Sequence, residues 1–164
     1  MVRILRAGAE RIDDLEPLWK SLLEHHRSVG PRIPGVGLRE PDASWALRRT
    51  EYEEWLAEPD AFVLLAEEDE RAVGYAVVHF RSSDDSRVTG ERFGELESLA
   101  VLPEARGRGI GTALMEAVEA ELLRLGIGEL EIGILVTNEG ATRFYERHGF
   151  RPWLVRYFGR VPRA

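Results

Sequence analysis

The chain has 164 residues, of which 44% are hydrophobic and 31% charged, a formal net charge of −7 and no cysteine. That length fits one domain, residues 1–164, able to bury its own core, and the missing cysteines exclude disulfides, thiolate metal sites and a cysteine nucleophile together. The acidic balance argues against a nucleic-acid partner, which draws on clustered positive charge; no apolar run is long enough to cross a bilayer, and Met1–Ala9 lacks the apolar core of a secretory signal, so a cytoplasmic setting is expected.

Val2–Arg6 alternates as a short strand. From Asp13, read as an N-cap, the positions Leu15, Leu18, Trp19, Leu22 and Leu23 recur at helical spacing, with Pro17 in the first turn. Ser28–Asp42, rich in Gly and Pro, reads as a loop. A second helix is expected from about Ser44, with Leu47, Tyr52, Trp55 and Leu56 inward and Pro59 closing it. Ala61–Ala66 and Ala72–Phe80 read as a hairpin around the charged turn Glu67–Arg71. Arg81–Arg92 is polar and reads as mobile, and Gly94–Leu102 as the next strand.

Ile110, Leu114, Val118, Leu122 and Leu125 mark one helical face, ended by Gly126. Leu130–Val136 is expected as a strand, Glu139–His148 as a short helix closed by Gly149, and Trp153–Phe158 as a last strand. The resulting order, β-α-α-β-β-β-α-β-α-β, predicts an α/β domain with a mixed sheet and helices packed on its faces.

Leu102–Leu114 carries the most information. A strand runs into Gly107, Gly109 and Gly111, and a helix begins inside that loop. Glycines let backbone amides approach an anion closely, and a helix start adds free donors and a positive partial charge. Together they suit a pyrophosphate; the alternative is a tight turn needing glycine for its backbone angles alone. A Walker loop is excluded, because Thr112 rather than Lys follows Gly111. The dinucleotide spacing also fails, since the third glycine place falls on Thr112 or Leu114.

Arg106-Gly107-Arg108-Gly109-Ile110-Gly111 is similar to the Gln/Arg-x-x-Gly-x-Gly/Ala signature of the GNAT acetyltransferases. Val136–Phe150, with Asn138, Tyr145 and Gly149-Phe150 in register, resembles their second cofactor block. The resemblance implies a mostly antiparallel sheet with a parallel pair splayed around acetyl-coenzyme A as co-substrate, and no metal. It implies cofactor contacts along Leu99, Ala100 and Val101, through Arg106, Gly107, Arg108, Gly109, Ile110, Gly111 and Thr112, and from Asn138 and Tyr145. An amide near Val101 would be the oxyanion donor, an interaction typically worth ~3 kcal/mol at the transition state. The family often adds two strands after the last helix, whereas only six residues follow Phe158; a second subunit, in a homodimer, is one way to complete that wall.

The acceptor amine must lose a proton, and a lysine-like amine has a pKa of about 10.4. Glu95 and Glu97 share a strand face by the period of two unless a bulge intervenes. Both places serve as base within the family, and Glu97, nearer the reacting carbonyl, ranks first. Tyr145 is the expected donor to the departing thiolate. With no cysteine for an acyl-enzyme, direct attack in a ternary complex is expected. Alternatives are an inactive coenzyme A-binding homologue or a longer acyl donor. The acceptor is a small-molecule amine or a protein or peptide amine, and a membrane is not expected as a partner.

Other residues carry less. His25 and His26 are adjacent and point apart, which suits a helix C-terminus better than a shared ligand. His79 and His148 are read as isolated. Trp45, Tyr52, Trp55 and Trp153 are candidates to line the acceptor pocket, though aromatics at such spacing are more often core. Arg147 is a candidate for the 3′-phosphate of coenzyme A. The acceptor site is expected between Ser28–Trp45 and Trp153–Phe158.

Overall fold

The computed structural model describes residues 1–83 and 89–161. Five strands, β1 (Arg3–Ala7), β2 (Phe62–Glu68), β3 (Arg71–Ser82), β4 (Arg92–Val101) and β5 (Leu130–Ile132), form one sheet in sequence order. Pairing is antiparallel from β1 to β4 and parallel between β4 and β5. Four helices accompany them: α1 (Leu15–Val29), α2 (Pro41–Leu56), α3 (Ile110–Arg124) and α4 (Glu139–Arg147).

Phe62–Ala66 and Val73–His79 are buried without a break, because helices cover both faces of the central strands. On one face α3 sets Ile110, Leu114, Met115, Val118 and Leu122 against Phe62, Leu64, Ala76, Val78 and Leu96. On the other, Leu15, Leu18 and Trp19 of α1, with Trp45 and Tyr52 of α2, cover Val63, Leu65, Tyr75, Val77 and Ala100. Each aliphatic side chain so buried contributes roughly 1.5–3 kcal/mol. Asp69 and Glu70, at φ of 51° and 64°, make the two-residue primed turn that matches strand twist in a hairpin. At the end of α3, Gly126 takes φ 73°, and the Gly126 and Ile127 amides donate to Leu123 and Leu122 at 3.0 and 2.9 Å. That arrangement satisfies carbonyls the helix leaves open.

Several expectations change. Asp13 does not cap α1: a 3-10 turn over Ala9–Asp14 precedes the helix, and the Asp13 carboxylate accepts from Arg49 instead. The second helix starts at Pro41, whose missing N–H is harmless in a first turn, which shortens the preceding loop to residues 30–40. Leu47 is 52% exposed rather than inward, while Trp45 takes the core place. β5 stops at Ile132, so Gly133–Val136 is not strand. Trp153–Phe158 forms no strand, and Arg151–Val161 is exposed throughout; three residues of β5 offer too short a ladder to template it. Within Arg81–Arg92, β3 runs on to Ser82 and β4 begins at Arg92; residues 84–88 of that stretch lie outside the described residues.

Two features of β4 position the site. Its register against β3 shifts between Val77↔Ser98 and Val78↔Leu96, so Glu97 is the extra residue of a bulge. On its other side β5 pairs only with Gly94–Leu96 and then leaves, opening a splay beside Glu97–Val101. The Leu102 amide donates to Val73 at 2.9 Å. By antiparallel alternation Leu99 and Val101 therefore turn their backbone groups away from β3 and toward the gap.

Candidate active site

β4 leads through a 3-10 turn, Pro103–Ala105, to Arg106, whose Nε donates to the Val101 carbonyl at 2.9 Å and fastens the loop to the strand end. Gly107 and Gly109 stand at φ of 73° and 79°, and a Cβ on either would meet nothing within 4 Å. Gly109 holds the N-cap place of α3 with no side chain to cap it, and the helix's first bond runs from Ala113 to Gly109 at 3.0 Å. The amides of Ile110, Gly111 and Thr112 thus have no acceptor among the described residues, and the helix adds its positive end. Such a helix start suits an anion.

Its flanks are less uniform than the motif suggests. Arg108 makes a two-point pair with Glu68, one contact at 2.9 Å, and this pairing holds the Glu68 carboxyl below its usual range. The Arg108 charge is thereby met by β2. Gly111 lies under the Phe144 ring, 3.6 Å from where a Cβ would stand, so it serves the approach of α4 to α3. Arg147 makes no ion pair among the described residues.

Beyond the splay, the Asn138 side chain accepts from the Ala141 amide at 3.1 Å and caps α4. Tyr145 is 8% exposed and belongs to the core beneath α3, with Phe144 and Phe150 edge-on at 5.1 and 6.1 Å. Burial pushes its phenol well above the ordinary value, so it keeps its proton and can donate. Its hydroxyl has no hydrogen-bond partner among the described residues.

On the opposite face of the sheet Glu95 and Glu97 stay together despite the bulge. Both approach His79, which lies opposite Glu95 in the register: its Nε2 is 3.6 Å from Glu95 Oε2 and 3.8 Å from Glu97 Oε2. His79, read as isolated, is therefore part of the carboxylate cluster, and only the strand pairing reveals it. Its ring stacks on Trp55 at 4.4 Å. Arg48 of α2 donates to Glu97 Oε1 and sits over the Trp19 ring at 4.5 Å. Burial alone would raise the Glu97 carboxyl, but His79 and Arg48 outweigh it and hold it below its usual range.

Ligand-type atoms of His79, Glu95 and Glu97 lie within 4.8 Å of one another. Arg48 and Arg81 meet the charge of the two carboxylates and tie the cluster into an ion-pair network. Deeper in, the Tyr52 hydroxyl donates to Ser98 at 2.7 Å and lies 3.1 Å from that of Tyr75; these two are core, as is Trp45, whereas Trp153 is 58% exposed.

The loop of residues 30–40 follows α1, and the Arg27 side chain donates to the Arg39 carbonyl. The Thr137 hydroxyl donates to the Val29 carbonyl, joining the end of α1 to the segment between β5 and α4. Arg160 Nε comes within 3.3 Å of where a Cβ on Gly35 would stand, bringing the C-terminal segment to the loop. His26, at the same end of α1, is held below its usual value by burial first, then by His25 and Arg48.

The sequence profile described as the acetyltransferase (GNAT) family matches residues 19–150. The chain is 33% identical over 144 residues to an uncharacterized N-acetyltransferase of Archaeoglobus fulgidus, covering 85% of this chain and 88% of that one. An uncharacterized N-acetyltransferase of Mycobacterium bovis is 34% identical over 105 residues, and the match spans 62% of its length. A mycothiol acetyltransferase of Nocardiopsis dassonvillei is 34% identical over 110 residues, 32% of its length. In fold, the chain is similar to a GCN5-related N-acetyltransferase of Ralstonia eutropha, with a TM-score of 0.77 at 20% identity over 96% and 97% of the two chains. It is also similar to an aminoglycoside N-acetyltransferase solved with coenzyme A, with a TM-score of 0.73 at 21% identity over 98% and 95%. No described helix is long and apolar enough to cross a membrane. With its signature on a free helix start beside a splayed strand pair, the chain belongs to the acetyltransferase (GNAT) family.

Proposed function

We propose that the protein is an N-acetyltransferase that moves an acetyl group from acetyl-coenzyme A to a primary amine by direct attack. The observation that carries the reading is the uncapped start of α3, with free amides at Ile110, Gly111 and Thr112, next to the unpaired edge of β4. Acetyl-coenzyme A supplies the acetyl group as an activated thioester. The amides of Gly107, Gly109, Gly111 and Thr112 bind its pyrophosphate. Leu99 and Val101 pair with the pantetheine arm as a strand would, with the side-chain amide of Asn138 as a further contact. The Val101 amide is the oxyanion donor.

Glu97 or Glu95 takes the amine proton. Glu97 lies nearer the reacting carbonyl, but its depressed basicity favours action through a neighbour. Tyr145 donates to the departing thiolate, a role suited to a phenol that burial keeps protonated. No cysteine is present to carry an acyl-enzyme. The acceptor lies between the loop of residues 30–40 and the segments at Thr137 and Arg160; a second copy of the chain is a further candidate to close it.

Thiol release from acetyl-coenzyme A, followed over a panel of polyamines, aminoglycosides, amino acids and peptide N-termini, tests the proposal. At least one amine should accelerate release and gain an acetyl group. Tight cofactor binding with no amine-dependent release would instead indicate a coenzyme A-binding protein, and faster turnover of longer thioesters a different acyl donor.

A further inference from the structure

His79 is 6% exposed, and its Nε2 is buried without a hydrogen-bond partner. Leaving a buried polar atom unpaired is unfavourable, so the arrangement invites a purpose. The atom faces two carboxylates at once, at 3.6 Å to Glu95 and 3.8 Å to Glu97, a few tenths of an ångström beyond a hydrogen bond to either. Stacking on Trp55, with the rings 4° from parallel, fixes the ring plane between them.

The two carboxylates differ in surroundings. Glu97 is the bulge residue next to the splay, pinned through Oε1 by Arg48, which Glu51 also approaches at 3.2 Å. Glu95 is one step farther from the splay and contacts Arg81 at 3.3 Å, whose side chain is 47% exposed. The two carboxylates are about equally exposed, 20% for Glu97 and 17% for Glu95, and Glu97 is the one beside the splay.

Resting on the acetyl-transfer reading, we propose that His79 is a positioning residue that relays the acceptor's proton from Glu97 to Glu95. As the amine nitrogen bonds to the acetyl carbon, its N–H bond breaks and the proton forms an O–H bond on Glu97. That O–H bond then breaks as Nε2 takes the proton, making a transient imidazolium. The same Nε2–H bond breaks to place the proton on Glu95, which releases it to water, and the imidazole returns to its starting state. No oxidant or further reactant is required.

His79 and Arg48 hold the Glu97 carboxyl below its usual range, so a proton it takes is shed readily, and the imidazole 3.8 Å away is placed to receive it. The charged and titratable groups around the imidazole are Arg81 from β3, Glu95 and Glu97 from β4, and Arg48 and Glu51 from α2. Tyr75 of β3 and Tyr52 of α2 lie behind them, kept neutral by burial, and His26 of α1 stands beyond Arg48.

The test uses His79→Gln, which keeps a polar side chain but cannot pass a proton, and His79→Phe, which keeps the stack on Trp55. Both should lower kcat at saturating amine by about tenfold or more, leave coenzyme A affinity within twofold, and remove one limb of the pH profile of kcat. Glu95→Gln should reproduce the loss. At fixed pH, the imidazole NMR shifts of His79 should move in both Glu95→Gln and Glu97→Gln.

A folded His79→Gln protein with wild-type kcat and pH profile would overturn the relay while leaving acetyl transfer intact. So would His79 shifts that ignore both carboxylate variants. A wild-type protein that acetylates no amine would overturn the transfer reading and the relay with it, an outcome distinct from either.

Discussion

Gly109 and Gly126 offer a matched pair for testing the anion cradle. Both stand at positive φ, 79° and 73°, and at both an added Cβ meets nothing within 4 Å. One starts α3 and the other follows its end. Gly109→Ala and Gly126→Ala therefore carry the same backbone strain, about 1–2 kcal/mol, partly offset by reduced freedom of the unfolded chain. A net loss of about 1 kcal/mol lowers Tm by roughly 2–4 °C in a domain of this size.

In the proposed complex the phosphates approach through the space that is empty around Gly109 and stay away from Gly126. Each displaced charge-assisted hydrogen bond is worth about 1.5–3 kcal/mol, so Gly109→Ala should weaken coenzyme A by about tenfold to a hundredfold. Gly126→Ala should not weaken it, and pantetheine, which lacks the pyrophosphate, should bind both variants alike. Calorimetry alongside thermal unfolding reads all of this. Equal coenzyme A affinity for the two alanine variants would refute the placement of the pyrophosphate.

Tyr145→Phe should lower kcat by about tenfold or more while changing coenzyme A affinity little, since a proton donor acts in the transition state; single-turnover kinetics at wild-type rate would remove Tyr145 from the mechanism. Glu97 has a lowered carboxyl, so its pairing stabilises the fold above the unfolded-state value and is lost as pH falls through the folded one. Glu97→Gln should accordingly flatten the acid side of the stability curve below about pH 4.5, as urea unfolding across pH would show, and an unchanged acid slope would contradict it. Replacing residues 31–39 by a Gly/Ser linker should abolish transfer to the true acceptor with coenzyme A affinity nearly intact; loss of both, or of neither, would mean the loop does not shape the acceptor site.

Much of this architecture is legible locally. The helical spacing from Ile110 to Leu122 and the glycine after it specify α3, and the apolar runs around Asp69-Glu70 specify the hairpin, because these patterns depend on neighbours in sequence. The glycine loop was readable for the same reason: a strand, free amides and a helix start are consecutive. What escaped depends on pairing across the sheet. Nothing near Glu97 announces a bulge, and its meeting with His79 depends on the pairing of β3 with β4, so it could not be read. Arg48 lies 49 residues from Glu97 and looks like any exposed helical arginine. Asp13 has the residue type of a cap, yet Arg49 competes for its carboxylate. Trp153–Phe158 has strand composition, but strand formation requires a partner edge, and β5 ends too soon to provide one.

Whether the free amides opening α3 and the unpaired edge of β4 hold one cofactor is read by a backbone-amide NMR titration with acetyl-coenzyme A. Saturable shifts are expected at Gly107–Thr112 and at Leu99 and Val101, with Gly126 and the amides of β1 unmoved. Saturable binding that leaves those residues undisturbed, or no binding at all, would contradict a shared site.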